Sequence, residues 1–214
     1  MQMRRTAGGT VRDRIDAADQ AIMARLSAES SPVLDRFLPA LSRSADFFAL
    51  WIGIAAALAA SNDERGRRAA VRGLAGMVVA STASNVLAKG LVRRPRPAGE
   101  VPPDRRPGRT PVTSSFPSGH AAAAAAFATG VGLEMPALAV PVGALAAAVG
   151  VARVVNGVHY PSDIAGGWVF GVGVGMLTLP WWPPGRARGR GTAPPRGTAH
   201  RHGLVMNCGG HDLG

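Results

Sequence analysis

Residues 137–179 read ALAVPVGALAAAVGVARVVNGVHYPSDIAGGWVFGVGVGMLTL. Two apolar runs, Ala137 to Val155 and Ile164 to Leu179, enclose a short polar hinge that holds His159 and Asp163, and Arg153 stands just before it. The runs are apolar around their whole circumference, so a helix built from either has no polar side to turn to water. A bilayer core asks for about 20 helical residues, with ~17 as a working minimum; the first run meets it, and the second does so with a residue or two from its flanks. Three more apolar stretches lie upstream, at Phe47 to Ala60, Ala69 to Ala88 and His120 to Leu133. The second of these is also long enough, and the other two borrow residues from their flanks. The pattern predicts an all-α, polytopic membrane helix bundle of about five transmembrane helices rather than a soluble helical bundle.

Composition narrows the class further. Of 214 residues, 47% are hydrophobic and 17% charged, with 39 Ala and 28 Gly. Lipid gives no hydrophobic reward for helix association, so small residues that allow close backbone approach matter more. Ala121 to Ala126, and Gly166, Gly167, Gly171, Gly173 and Gly175, offer such surfaces. The single cysteine, Cys208, excludes a disulfide scaffold, and no apolar run follows the four arginines of residues 1–14 closely enough to read as a secretory signal. The net charge is +11, and all but one of the 24 cationic residues are arginine. These arginines flank apolar segments, as in membrane topology and headgroup contact. No base-reading motif accompanies them, so no nucleic-acid partner is expected.

Three regions follow. Residues 1–44 hold two amphipathic candidates. Ile15, Ala18, Ile22 and Leu26 share one helical face opposite Asp16, Asp19 and Arg25, and after Ser31-Pro32 the residues Leu34, Phe37, Leu38 and Leu41 repeat the pattern. Both suit interfacial helices or ordinary partner helices. Residues 45–180 form the membrane-embedded unit. Residues 181–214 open with Trp181-Trp182-Pro183-Pro184 and continue as a basic tail rich in Gly and Pro, expected to be disordered. Its His200, His202, Cys208 and His211 are too irregularly spaced to argue for a metal site.

Chemistry gathers at one end of the spans. With alternating helices, the end of the second span (Lys89, Arg93, Arg94, Arg96), the start of the third (Ser118, Gly119, His120), the end of the fourth (Arg153) and the start of the fifth (His159, Asp163) share one membrane face. Lys89, Arg96 and Arg153 can surround a phosphate. Ser118 adds a hydroxyl, and the Gly119 amide lies at a helix start, where free N–H groups favour anions. His159 and Asp163 are four apart. A carboxylate on one imidazole nitrogen would fix the tautomer and leave the other free to attack, and His120 can serve as proton donor. Arg93, Arg94, Arg105, Arg106 and Arg109 read as headgroup contacts or solvated charges.

In combination, Lys89-x6-Arg96-Pro97, Pro117-Ser118-Gly119-His120 and Arg153-x5-His159-x3-Asp163 resemble the three-part signature of the type-2 phosphatidic acid phosphatase family, whose superfamily includes the vanadium haloperoxidases. The resemblance implies a metal-independent phosphatase without cofactor. In it His159 takes the phosphoryl group, Asp163 orients and charges that imidazole, and His120 protonates the leaving group and then activates water. Lys89, Arg96, Ser118, Gly119 and Arg153 would hold the phosphate oxygens. One departure is Ala152, where the family usually has Ser before the arginine. The expected substrate is a lipid or polyprenyl phosphate or diphosphate, with membrane lipids as the other partners. The loop from Ala98 to Phe116 is the expected place of headgroup selection. Setting the motif arginines aside, the positive-inside rule places the basic tail in the cytoplasm and the site on the outer face of the cell membrane. Two other readings compete: a vanadate-dependent haloperoxidase, and a non-catalytic protein that binds anionic lipid. Oligomeric state is not legible.

Overall fold

Polar caps start the helices where the apolar pattern expects them. Thr10 and Asp13 exchange hydrogen bonds to open α1 (Val11–Ala28), a reciprocal cap that satisfies two otherwise free amides. α2 (Leu38–Ser44) follows a wider turn at Val33–Phe37. A short turn at Asp46–Phe48, with Phe48 at φ 62°, then leads into α3 (Ala49–Ala60). The Asp63 carboxylate accepts the Arg65 N–H to begin α4 (Glu64–Ala83), which continues as a looser turn over Ser84–Ala88. Ser118 accepts the Ala121 N–H at the head of α5 (Gly119–Glu134). α6 (Ala139–Val155) carries a turn of Pro136–Leu138 before it, and Pro161 occupies the first position of α7 (Pro161–Leu177), where a missing N–H costs nothing. The computed structural model describes residues 10–88, 92–106, 113–179 and 182, and no strand occurs among them.

α5 is the centre of the bundle. All six alanines from Ala121 to Ala126 are buried, as are Phe127 and Val131. α4 and α7 lie against it, and their glycines make the approach possible. A Cβ on Gly171 would stand 2.1 Å from the Ala122 carbonyl oxygen, and one on Gly167 would stand 2.6 Å from that of Ser118. Of the other small residues on α7, Gly175 also meets α5, Gly166 faces the Phe116 ring, and Gly173 faces open space. Trp51 from α3 packs on Phe127 with ring centroids 5.2 Å apart. Such a pair adds ~0.5–1.5 kcal/mol beyond its buried area.

The outer faces of α3, α4, α6 and α7 expose apolar side chains: Ile52, Val78, Val79, Val140, Val169 and Leu177 are all more than half exposed. Yet among the described residues only Pro136–Val155 is alone long and apolar enough to cross a membrane. Asp35–Ser44 and Ala49–Ala60 pass the same test together, bent by 65° at the turn between them. The structure differs from the sequence reading in two ways. α5 and α7 have only 16 and 17 residues, short of ~20 for a core ~30 Å thick. The stretch from Ala69 to Ala88 also buries a charge, because Arg72 lies within it and is 1% exposed. Its charge is met inside the bundle by Glu134 at the end of α5, 2.7 Å away, and Arg68 reaches the same carboxylate at 3.1 Å. Arg72 also donates to Thr178 and to the Trp182 carbonyl. The run's edge at Leu133 hid the acid that completes this pair.

α1 is also oriented differently from its hydrophobic pattern. Asp19 and Met23 are buried, whereas Ile15 and Ile22 are 45% and 42% exposed. The carboxylate face turns inward, because cations wait there.

Candidate active site

The antiparallel run of α4 to α7 brings the expected clusters to one end. The segment 92–106 after α4, the head of α5, the turn after α6 and the head of α7 meet there. Two backbone bonds stitch them: Ser115 N–H donates to the Arg94 carbonyl, and Ser118 N–H donates to that of Asp163 at 3.0 Å. The tight turn after α6, with Gly157 at φ +64°, returns the Val158 and His159 amides to the Arg153 carbonyl. A Cβ there would be both strained and 2.5 Å from Val101, so this turn needs its glycine.

His159 is 2% exposed. Its Nδ1 lies 2.8 Å from the Ser115 carbonyl oxygen, which can only accept, so Nδ1 carries the proton. Nε2 is left with its lone pair and faces Nη1 of Arg96 at 3.3 Å. Asp163 stands 3.7 Å from Nδ1, beyond hydrogen-bond length. A backbone carbonyl thus sets the tautomer, a job the sequence pattern gave to Asp163. Burial is the main force pushing the imidazole down to about 4, with Asp163 opposing and Arg96 adding to the fall. At neutral pH the ring is uncharged.

Arg96 is held by the carbonyls of Val158, Thr113 and Ser114 and by the Thr113 hydroxyl, so its fork is fixed beside Nε2. Arg153 is buried, and its Nε has no hydrogen-bond acceptor among the described residues. Ser118 is fully buried and spends its oxygen on the Ala121 cap, and Gly119 is the buried first residue of α5. His120 is about one-third exposed at the mouth. Lys89 lies outside the described residues, as do Arg109 and the tail with His200, His202, Cys208 and His211.

Several residues here escaped the sequence reading. Asp46, from the turn between α2 and α3, contacts Arg153 and stands 3.5 Å from His120 Nε2. Its hydrogen bond with His120 and the charge of Arg153 hold it down at about 2. No motif marks a lone aspartate between two helices. Arg94 is not a solvated charge. Its side chain is 13% exposed, donates to Asp163 at 2.8 Å, and lies 4.3 Å from the centroid of the Tyr160 ring. Arg105 is likewise buried rather than solvated, and is held by Asp35 and the Leu26 carbonyl. Tyr160 donates to Glu100, and burial above all pushes its hydroxyl up to about 12.

With an uncharged imidazole, a fixed guanidinium and an unsatisfied buried donor at one helix-bundle end, the site suits phosphoryl transfer. The family model of the PAP2 superfamily matches residues 70–186. The chain belongs to the PAP2 superfamily. It is 38% identical over 131 residues to the decaprenylphosphoryl-5-phosphoribose phosphatase of Mycobacterium tuberculosis (strain CDC 1551 / Oshkosh), covering 59% of this chain and 68% of that one. The enzyme of the same name from Mycolicibacterium smegmatis is 40% identical over 133 residues, with 60% and 68% covered. In fold, this PAP2 chain resembles a transmembrane PAP2 type phosphatidylglycerolphosphate phosphatase from Bacillus subtilis. The TM-score is 0.59 at 24% identity, over 79% of this chain and 86% of that one.

Proposed function

We propose that this PAP2 protein is an integral-membrane, metal-independent lipid phosphatase that works through a phosphohistidine at His159. The observation that carries the reading is the buried imidazole, with Nδ1–H given to Ser115 and the Nε2 lone pair beside Arg96. Nε2 attacks phosphorus, and the P–O bond to the leaving group breaks as His120 gives that oxygen a proton. Water then attacks phosphorus, His120 takes back a proton, and the P–N bond breaks to release phosphate. Arg96, Arg153, the Gly119 amide, Ser118 and Lys89 hold the oxygens as charge shifts between them. Arg153 Nε, buried without an acceptor among the described residues, is a donor that a phosphate oxygen would satisfy.

The substrate class is a lipid-linked phosphate, and a prenyl-linked sugar phosphate heads the panel because both mycobacterial relatives carry that activity in their names. An apolar cleft of about 500 Å³ between α5, α6 and α7, the helices whose ends carry the site, is lined by Ala125, Thr129, Gly143, Ala146, Trp168 and Val172. It suits a prenyl or acyl tail. We read α3 to α7 as five spans, with the short α3, α5 and α7 accommodated by local bilayer thinning, and the site on the outer face of the cell membrane.

The test is phosphate release by the detergent-solubilised protein in the presence of EDTA. The panel holds a prenyl-linked sugar phosphate, a polyprenyl diphosphate and phosphatidic acid, with His159→Ala alongside. Release that persists in EDTA and vanishes in the variant is expected. An active His159→Ala protein would sink the phosphohistidine mechanism.

A further inference from the structure

The cation that faces Asp163 from behind is itself held by a helix outside the matched family region. Arg94 Nη1 donates to Asp163 Oδ1 at 2.8 Å and to the Ser162 hydroxyl, while Nη2 donates to Asp19 Oδ2 at 2.7 Å and to Asp16 Oδ1 at 2.8 Å. Asp19 is 3% exposed and accepts two more bonds, from the Ser162 N–H at 2.9 Å and from the Ser162 hydroxyl. Thus one α1 carboxylate clamps both Arg94 and the first turn of α7, where backbone amides lack helical partners. Asp163 Oδ2 meanwhile accepts the Tyr160 N–H at 2.8 Å. Both oxygens of Asp163 thus accept from a donor other than His159.

We propose that Asp19 and Arg94 are positioning residues for the phosphoryl-transfer centre, making α1 part of the catalytic unit. The proposal rests on the phosphohistidine reading of His159. Burying Arg94, Asp19 and Asp163 has a large desolvation cost unless they pair, and α1 supplies Asp19 together with Asp16, whose side chain is 42% exposed at the rim. The arrangement divides the charge of Arg94 between Asp163 on one side and Asp16 and Asp19 on the other. How much negative charge Asp163 shows to His159 therefore depends on how tightly α1 holds Arg94. The other charged groups around His159 are Arg96 from the segment after α4, Arg153 at the end of α6, His120 at the head of α5, and Asp46 behind the last two. None of these is hydrogen-bonded to Arg94.

Opposite substitutions should then move His159 in opposite directions, a result that mere loosening of the fold does not produce. Arg94→Gln removes a cation and leaves Asp163 fully negative toward the imidazole, which favours its protonated form. Because attack needs the neutral ring, the acid limb of kcat/KM moves to higher pH. Asp19→Asn keeps shape but removes an anion, so Arg94 leans on Asp163 and the limb moves to lower pH. Arg94→Lys keeps the charge and should stay nearest the wild-type limb.

The experiment measures kcat/KM for p-nitrophenyl phosphate from pH 3 to 8 on the full chain, with the three variants and His159→Gln. Shifts of at least about 0.5 pH unit in opposite senses, with Arg94→Lys between them, are expected. Shifts in the same sense, or lower rates on an unmoved limb, overturn the positioning role while leaving the mechanism standing. An active His159→Gln protein overturns both.

Discussion

At the scale of single residues, the proposed mechanism divides the reaction between two histidines in opposite surroundings. His159 is buried and pushed down to about 4, first by burial, so it is neutral through the physiological range. Protonation removes the Nε2 lone pair, hence kcat/KM should be flat above about pH 5 and fall tenfold per unit below about 4, as a pH–rate profile on a soluble aryl phosphate would register. His120 sits at the mouth beside Asp46. As general acid it matters most when the leaving oxygen is a poor one, and such catalysis is worth ~10²–10⁴-fold. His120→Ala should therefore cripple turnover of an alkyl phosphate while sparing p-nitrophenyl phosphate much more. Asp46→Asn removes the carboxylate that contacts both His120 and Arg153, so it should lower turnover of the alkyl phosphate more than that of p-nitrophenyl phosphate. Equal losses on both phosphates in His120→Ala would refute the acid role. The sequence made His120, His159, Asp163, Arg96 and Arg153 legible because their spacings are fixed by helix ends. It hid Asp46, Arg94 and the Ser115 carbonyl, whose parts depend on which loops meet, and a backbone oxygen has no letter of its own.

At the scale of helices, apolar runs located α3 to α7 to within a few residues, because a run that must avoid water announces itself. They failed where polarity is paired internally. Arg72 and Glu134 lie in different runs, and only the crossing of α4 and α5 shows that they meet at 2.7 Å. Removing one partner of a buried pair leaves an uncompensated charge, typically a loss of ~3–5 kcal/mol, whereas replacing both by apolar residues is often nearly neutral. Glu134→Gln should therefore lower the thermal midpoint in detergent more than the double variant Arg72→Met/Glu134→Leu does. A double variant less stable than the single would show that the pair, with its bond to the Trp182 carbonyl, contributes net stability at that end. The glycines of α7 give a second case. Gly171→Ala places a methyl 2.1 Å from the Ala122 carbonyl, which backbone must yield to, at ~1–3 kcal/mol for overpacking. Because α5 carries His120 and α7 carries Asp163, activity should fall together with stability. Gly173→Ala, with nothing within 4 Å, should change neither.

For the whole molecule, what must be decided is how the site, the tail cleft and the two faces of the membrane are arranged. Gly143 lines the cleft and has open space where a side chain would project, so Gly143→Leu fills the cleft without disturbing the core. A long-chain prenyl phosphate should then show a raised KM, while p-nitrophenyl phosphate, which has no tail, keeps its kinetics. An unchanged KM for the long substrate would place the tail elsewhere. In the proposed five-span reading, residues 61–63, the α6 entry and the chain after α7 share the face opposite the site, with Arg65, Arg67, Arg68 and the five tail arginines from Arg186 to Arg201, while the N-terminal arginines share the face of the site. The proposed orientation takes the tail cluster as the cytoplasmic signal. The chain holds one cysteine, Cys208, in that tail, so no engineering is needed to read its side. A membrane-impermeant maleimide applied to intact cells should leave Cys208 unmodified and should label it once the membrane is opened. Labelling in intact cells would reverse the orientation and turn the phosphatase site toward the cytoplasm, where its lipid substrate would have to be presented from the inner leaflet.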